Sequence, residues 1–183
     1  MSVDVTEGAI VLNIDSERCV KWDEHPAFLQ GIGRLQRTRA VDVCASVAGD
    51  GAVFIEMKDF RAAATDNGPR ITSGALAQEV AEKVRDSLAG LIWACDRGLG
   101  EPFHERLVRE YLERPKALVV LWLEQDTVDV GGATALQDTI RSALKPHIEA
   151  KVIVTSSLLE KKSRSPLPWV RARGLAAPRL AKR

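Results

Sequence analysis

The chain has 183 residues and a mass of 20.0 kDa, room for one domain of ordinary size, and folding at that length buries roughly 70% of the unfolded surface without a covalent staple. Its 45% hydrophobic and 28% charged residues exclude a wholly disordered or collagen-like chain, and no apolar run reaches the ~18 residues of a membrane span. Net charge is +1 but unevenly placed: residues 161–183 carry eight basic side chains and no acid, leaving 18 basic against 25 acidic side chains in residues 1–160.

An acidic body with a basic end reads in three ways. The end is a phosphate-binding arm, or a solvated extension, or it is anchored on the domain or on a second copy of the chain by Leu167, Trp169, Val170 and Leu175. Asp4, Glu7, Asp15 and Glu17 make the first twenty residues unlike a secretory signal. Cys19, Cys44 and Cys95 are too few and too scattered for a disulfide framework or a zinc motif. A reducing, cytoplasmic compartment is expected.

In chain order, residues 8–14 (GAIVLNI) read as a strand. A helix is predicted from Pro26, with Phe28, Leu29, Ile32 and Leu35 on one stripe and Gly31 and Gly33 weakening it. Residues 40–60 form two period-2 segments around Gly49-Asp50-Gly51, a hairpin signal. With that triplet as the loop, Ala48 opposes Ala52 and Lys58 opposes Asp42, with Glu56 on the diagonal. One face is then apolar (Val41, Val43, Ala45, Val47, Val53, Ile55, Met57). The other holds Asp42, Cys44, Ser46, Phe54, Glu56 and Lys58. A one-residue slip would mix the faces and bury charge.

Residues 61–72, with Asn67-Gly68-Pro69, are predicted to be a loop. A long amphipathic helix follows over 73–97, with Gly98 ending it and a Glu79–Lys83 pair on its polar face. Further predictions are a helix over 102–113, a strand over 117–123 buried on both faces, a helix over 133–144 and a strand over 151–155. The last three make a βαβ unit, right-handed by the general rule. The order implies a three-layer α/β domain around a mixed sheet over residues 1–160, followed by a basic tail over 161–183 that is expected to be extended.

Chemistry concentrates on the hairpin. Asp42 stands between valines, and Glu56 and Lys58 flank Met57 in an apolar segment. Charged groups in such positions are costly unless paired or metal-bound. Two adjacent carboxylates repel and split their pKa values. A divalent cation relieves that conflict, and Mg²⁺ needs only one or two protein carboxylates beside retained waters. A lysine within reach can stabilise developing negative charge. The alternative is a solvent-facing sheet surface in which Asp42 and Lys58 form a cross-strand pair contributing ~0–1 kcal/mol.

Asp42, then Glu56-Met57-Lys58 across a hairpin with a helix after it, resembles the PD-(D/E)xK nuclease superfamily, which includes restriction endonucleases, resolvases and repair nucleases. The resemblance covers roughly residues 20–125. It implies a restriction-endonuclease-like α/β/α fold with a central mixed sheet. It also implies Mg²⁺ (or Mn²⁺) held by Asp42, Glu56 and the Met57 backbone carbonyl, with Lys58 as catalytic lysine. The chain departs from the pattern in carrying Val41 where the family's proline stands. Asp23 and Glu24 are candidates for the family's additional acid, with Glu7 a further option. Gln78 is followed four residues on by Glu82, not tyrosine, so the exonuclease branch is not indicated.

Lys83 and Arg85 are candidate phosphate contacts on the long helix, against the reading of a solvated helix face. Cys44, the scattered His25, His104 and His147, and the four tryptophans are read as packing or exposed residues. Gly31-Ile32-Gly33 lacks the third glycine and preceding strand of a dinucleotide site. The expected activity is metal-dependent cleavage of DNA. A partner protein supplying recognition, within a defence or repair complex, and a homodimer are considered, and no membrane partner is. The alternative is a non-catalytic module of nuclease-like fold that binds nucleic acid or a protein.

Overall fold

A computed structural model describes residues 2–15, 19–61, 64–127, 129–162 and 166–175. Strands β1 (Ser2–Glu7) and β2 (Ile10–Asp15) form a tight hairpin, and β3 (Cys19–Lys21) follows. Helix α1 (Pro26–Leu29) is one turn long and continues into a 3-10 turn at Ile32–Arg34. The paired strands β4 (Val43–Val47) and β5 (Gly51–Asp59) lead into α2 (Ala64–Thr72), α3 (Ala75–Asp96) and α4 (Pro102–Glu113). Then come β6 (Lys116–Glu124), α5 (Val130–Leu144), β7 (Glu149–Thr155), α6 (Ser157–Lys162) and β8 (Val170–Leu175).

The central sheet has the order β3-β4-β5-β6-β7. Its first three strands are antiparallel, and β5, β6 and β7 are parallel. One face packs on the helices, through Cys44, Phe54, Val119, Leu121 and Val152 against Phe28, Leu76, Val80, Leu107 and Ile140. The domain is therefore the expected α/β arrangement of a mixed sheet flanked by helices. On the opposite face the cover includes a second, antiparallel sheet, β1-β2-β8. Its Ile10, Leu12, Ile14 and Val170 pack on Val43, Ala45, Val53, Ile55, Leu118, Val120 and Trp122. The period-2 alternation of β4 and β5 thus separates two buried surfaces, both inside the molecule.

The turn between β4 and β5 occupies residues 48–50, one residue earlier than expected. Val47 pairs with Gly51 and Val43 with Ile55, and the Val47 carbonyl accepts the Asp50 N–H at 3.1 Å. Gly49 and Gly51 have φ of 89° and 73°, values at which a Cβ is disfavoured. The register therefore shifts by two residues. Because the side-chain period is also two, the residues of β4 and β5 keep their predicted faces; Val41, just before β4, does not, and packs in the helix-side core with Cys44 and Phe54. The ladder brings Asp42 level with Glu56, and the expected position of Lys58 opposite Asp42 is corrected.

Four other local expectations are revised. β1 and β3 lie outside the segments read as strands. The helix predicted from Pro26 ends after four residues, where Gly31 lies against the Trp93 ring so closely that a Cβ would collide. The loop expected at 61–72 contains α2, with Pro69 inside it; α2 ends at Thr72, two residues before Gly74, whose φ is 78°. The basic end is not an extended tail as far as residue 175. β8 pairs with β2, Leu167 and Val170 are fully buried, and the Trp169 indole donates to Asp50 at 3.0 Å. Apolar Leu167, Trp169 and Val170 outweigh the charges around them. Residues 176–183 lie outside the described residues. No described helix is long and apolar enough to cross a membrane, and all three cysteines are free.

Candidate functional site

Asp42 and Glu56 sit on the helix-facing side of the sheet, 4% and 1% exposed. That removes the solvent-facing alternative for these two residues. The Trp22 N–H of the neighbouring segment donates to the Asp42 backbone carbonyl at 2.9 Å. The Asp42 side chain turns along the sheet and accepts the Met57 N–H at 2.5 Å. A residue's N–H and C=O point to the same neighbour in a strand. The Met57 carbonyl therefore points to the β4 side of β5, as its N–H does.

Glu56 is held from one side only. Its Oε1 accepts from Lys83 Nζ at 2.6 Å and lies 2.8 Å from Lys58 Nζ. Its Oε2 is buried and has no hydrogen-bond partner among the described residues. Lys58 reaches 3.0 Å from Glu79 Oε1, and Arg70 pairs with the other oxygen of Glu79. The expected i,i+4 pair Glu79–Lys83 is thus divided: Glu79 serves Lys58, and Lys83 serves Glu56. Lys83 faces the carboxylate and is 15% exposed at its side chain, while Arg85 pairs with Asp86 at 2.7 Å.

Electrostatics follow this geometry. Burial, then the adjacent Glu56, pushes the Asp42 carboxyl up to about 7, against the opposing Met57 N–H and Lys83. Burial alone would lower Lys58. Glu56 and Glu79 outweigh it and hold the ammonium above its usual range. Burial would raise Glu79, but Lys58, Arg70 and Lys83 bring it below the usual carboxylate range. With Asp42 ionised, three carboxylates meet three cations: Lys58, Lys83 and Arg70.

The candidate additional acids gather elsewhere. Asp23, Glu24 and Glu7 surround Lys21, whose Nζ lies 3.3, 3.2 and 2.7 Å from them. Their carboxylates are close enough together to share a cation, and the Lys21 ammonium already supplies one. The cluster still bears on the pair, because Glu7 adds to the upward shift of Asp42.

His25, Glu101 and His104 form another group with metal-like spacing. Their hydrogen bonds argue against a metal. His104 Nδ1 accepts the Glu101 N–H at 2.8 Å, and His25 Nδ1 accepts the Ala27 N–H at 3.2 Å. Each neutral ring then carries its proton on Nε2, which leaves no lone pair there. Burial, then His25, lowers the His104 pKa. Both rings pack on Trp22, in keeping with the packing role read from the sequence. Cys44 is fully buried and burial raises its thiol pKa, so it stays an inert hydrophobe.

No family model matches this chain, and neither a curated protein nor a solved structure matches it. The site is therefore read from its own geometry. The parity of the hairpin made Asp42, Glu56 and Lys58 visible in sequence. Glu79 and Arg70 were not singled out for this site. The one available signal was Glu79 and Lys83 at i,i+4 on α3, which a local reading pairs with each other.

Proposed function

We propose that the chain is a divalent-metal-dependent nuclease that hydrolyses phosphodiester bonds in DNA, with Asp42, Glu56 and Lys58 at its centre. The observation that supports this most strongly is the buried, unpartnered Glu56 Oε2 beside a second buried carboxylate. A carboxylate oxygen without a donor is costly in the interior, and the hard oxygen donors here are the type Mg²⁺ takes. Asp42, Glu56 and the Met57 carbonyl would hold Mg²⁺ or Mn²⁺. When bound, such an ion neutralises phosphate charge and makes a water more acidic.

The chain's own residues supply the rest. The Met57 N–H holds Asp42 against rotation. Lys83 keeps its ammonium on Glu56 Oε1 and holds that carboxylate in position. Lys58, 22% exposed at its side chain and held by Glu79, is placed to donate from Nζ to a phosphoryl oxygen as negative charge grows there. A second reading, a non-catalytic module that binds nucleic acid or a protein, is favoured by one specific observation: both lysines close on Glu56 and balance the cluster without an ion.

Incubation of the purified chain with supercoiled plasmid DNA separates the two readings. The nuclease reading expects nicking with Mg²⁺ or Mn²⁺, none in EDTA, and loss with Lys58→Ala while the fold is kept. Cutting by Lys58→Ala at the wild-type rate removes Lys58 from the mechanism. DNA binding with no cutting under any metal selects the module. A defence or repair complex in which a partner chain recognises the DNA would suit either.

A further inference from the structure

The segment that leads into Asp42 carries a feature the carboxylate cluster does not use. Arg34, Arg37 and Arg39 are all exposed, and no acid lies between Gln30 and Ala40. Among the described residues their side chains make no ion pair or hydrogen bond. Most other described arginines do: Arg61, Arg70, Arg85, Arg97, Arg106, Arg141 and Arg173 all have carboxylate partners.

The segment is fixed to α3. Gly31 lies against Trp93, the Arg39 N–H donates to Asp86 Oδ2 at 3.1 Å, and the Val41 N–H donates to Ser87 Oγ at 2.9 Å. Asp86 is one helical turn from Lys83, which rests on Glu56. Arg39 is three residues from Asp42, at most about 11 Å along an extended chain. Arg37 is the one non-glycine residue with positive φ among the described residues, at 67°. Glycine would take that backbone at less cost, so the Arg37 side chain stands there against a conformational preference.

We propose that Arg34, Arg37 and Arg39 form the surface on which this chain holds the phosphate backbone of a DNA duplex beside its carboxylate cluster. The inference rests on the nuclease reading for the identity of the polyanion, and it assigns that reading its substrate-holding surface. Three unpaired guanidinium groups on a fixed segment suit a row of phosphates, since guanidinium matches phosphate with paired donors. With 18 basic against 25 acidic side chains in residues 1–160, that part of the chain needs such a local patch to hold DNA. The basic C-terminal end is less suited: Arg173 is paired with Asp4, and β8 is committed to the small sheet.

The test is fluorescence anisotropy of a short labelled duplex in EDTA across a salt series, with the full chain. Arg34→Gln/Arg37→Gln/Arg39→Gln is expected to bind at least about tenfold more weakly, and the salt dependence of log K to flatten by roughly 2–3. Arg37→Gly keeps the backbone conformation and removes the charge. It is expected to melt no lower than wild type and to flatten the salt dependence by about 1. Wild-type affinity and salt dependence in both variants would overturn the proposal. So would a wild type that binds no duplex, or that binds phosphatidylserine vesicles in its place. Duplex binding lost with the arginines, but no cutting by wild type, keeps the surface and removes the catalytic reading. Cutting and binding unchanged in the triple variant do the reverse.

Discussion

Two glutamates are buried on neighbouring strands of the same sheet, and the protein treats them in opposite ways. Glu124, fully buried at the end of β6, has both oxygens satisfied. Oε1 accepts from the Trp122 indole at 2.7 Å and the Ser157 N–H at 2.9 Å, and Oε2 accepts the Ser157 hydroxyl at 2.8 Å. It ties β6 to the start of α6. Glu56, equally buried, has two lysines crowded on one oxygen and, among the described residues, no partner on the other. A carboxylate present for stability acquires a full set of donors. One left incomplete, beside a second carboxylate, carries a cost that function can explain.

The largest expected effect lies on the incomplete side. Lys58→Ala should lower the DNA-nicking rate by roughly 10²–10³, the effect of removing one group that stabilises transition-state charge. Quantified plasmid nicking in Mn²⁺ measures it. A loss below threefold would place Lys58 outside the chemistry.

On the satisfied side, Glu124→Ala should cost about 2–4 kcal/mol, because it leaves the Trp122 and Ser157 donors buried without an acceptor. Urea denaturation reads this directly. A cost near zero would mean that solvent reaches the network and the contrast is false.

Asp42→Asn should do the opposite and stabilise the metal-free protein. The folded-state pKa of Asp42 is raised to about 7, so the folded chain holds its proton more tightly than the unfolded one. Stability from this group is fully present below the unfolded value of 3.8. It is lost as pH rises towards about 7 and stays lost above that. The variant's advantage in EDTA should therefore be about 1–3 kcal/mol at pH 8 and vanish near pH 4. An advantage that grows on acidification would contradict the cause given for the shift.

The smallest effect calibrates the scale. Trp169→Phe removes the indole donor to Asp50 at the edge of the small sheet and should cost about 1 kcal/mol. A cost as large as that of Glu124→Ala would show that burial does not separate the two carboxylates.

Residue patterns revealed the central sheet because its period is local. The continuous run ALVVLWL marks β6, buried on both sides, and alternation marks β4 and β5. That alternation also tolerated a turn misplaced by one residue, since the resulting two-residue shift preserves parity. β8 was hidden because its apolar residues are spread among prolines and arginines. Its stability comes from pairing with β2, more than 150 residues earlier. α2 was hidden by Asn67-Gly68-Pro69, turn residues that its contact with α3 overrides. The site was half legible for the same reason. Asp42, Glu56 and Lys58 belong to one hairpin, whereas Lys83, Glu79 and Arg70 arrive from helices whose placement no local spacing encodes.

The central claim is that the incomplete carboxylate pair binds a divalent cation. Mn²⁺ titration followed by electron paramagnetic resonance, at pH 8 with the full chain, tests it most directly. Binding is expected at a site that requires both carboxylates: it weakens at least tenfold in Glu56→Gln and in Asp42→Asn, and it is unchanged in Glu124→Gln. No bound Mn²⁺ in the wild type, or equal binding in Glu56→Gln, would contradict it.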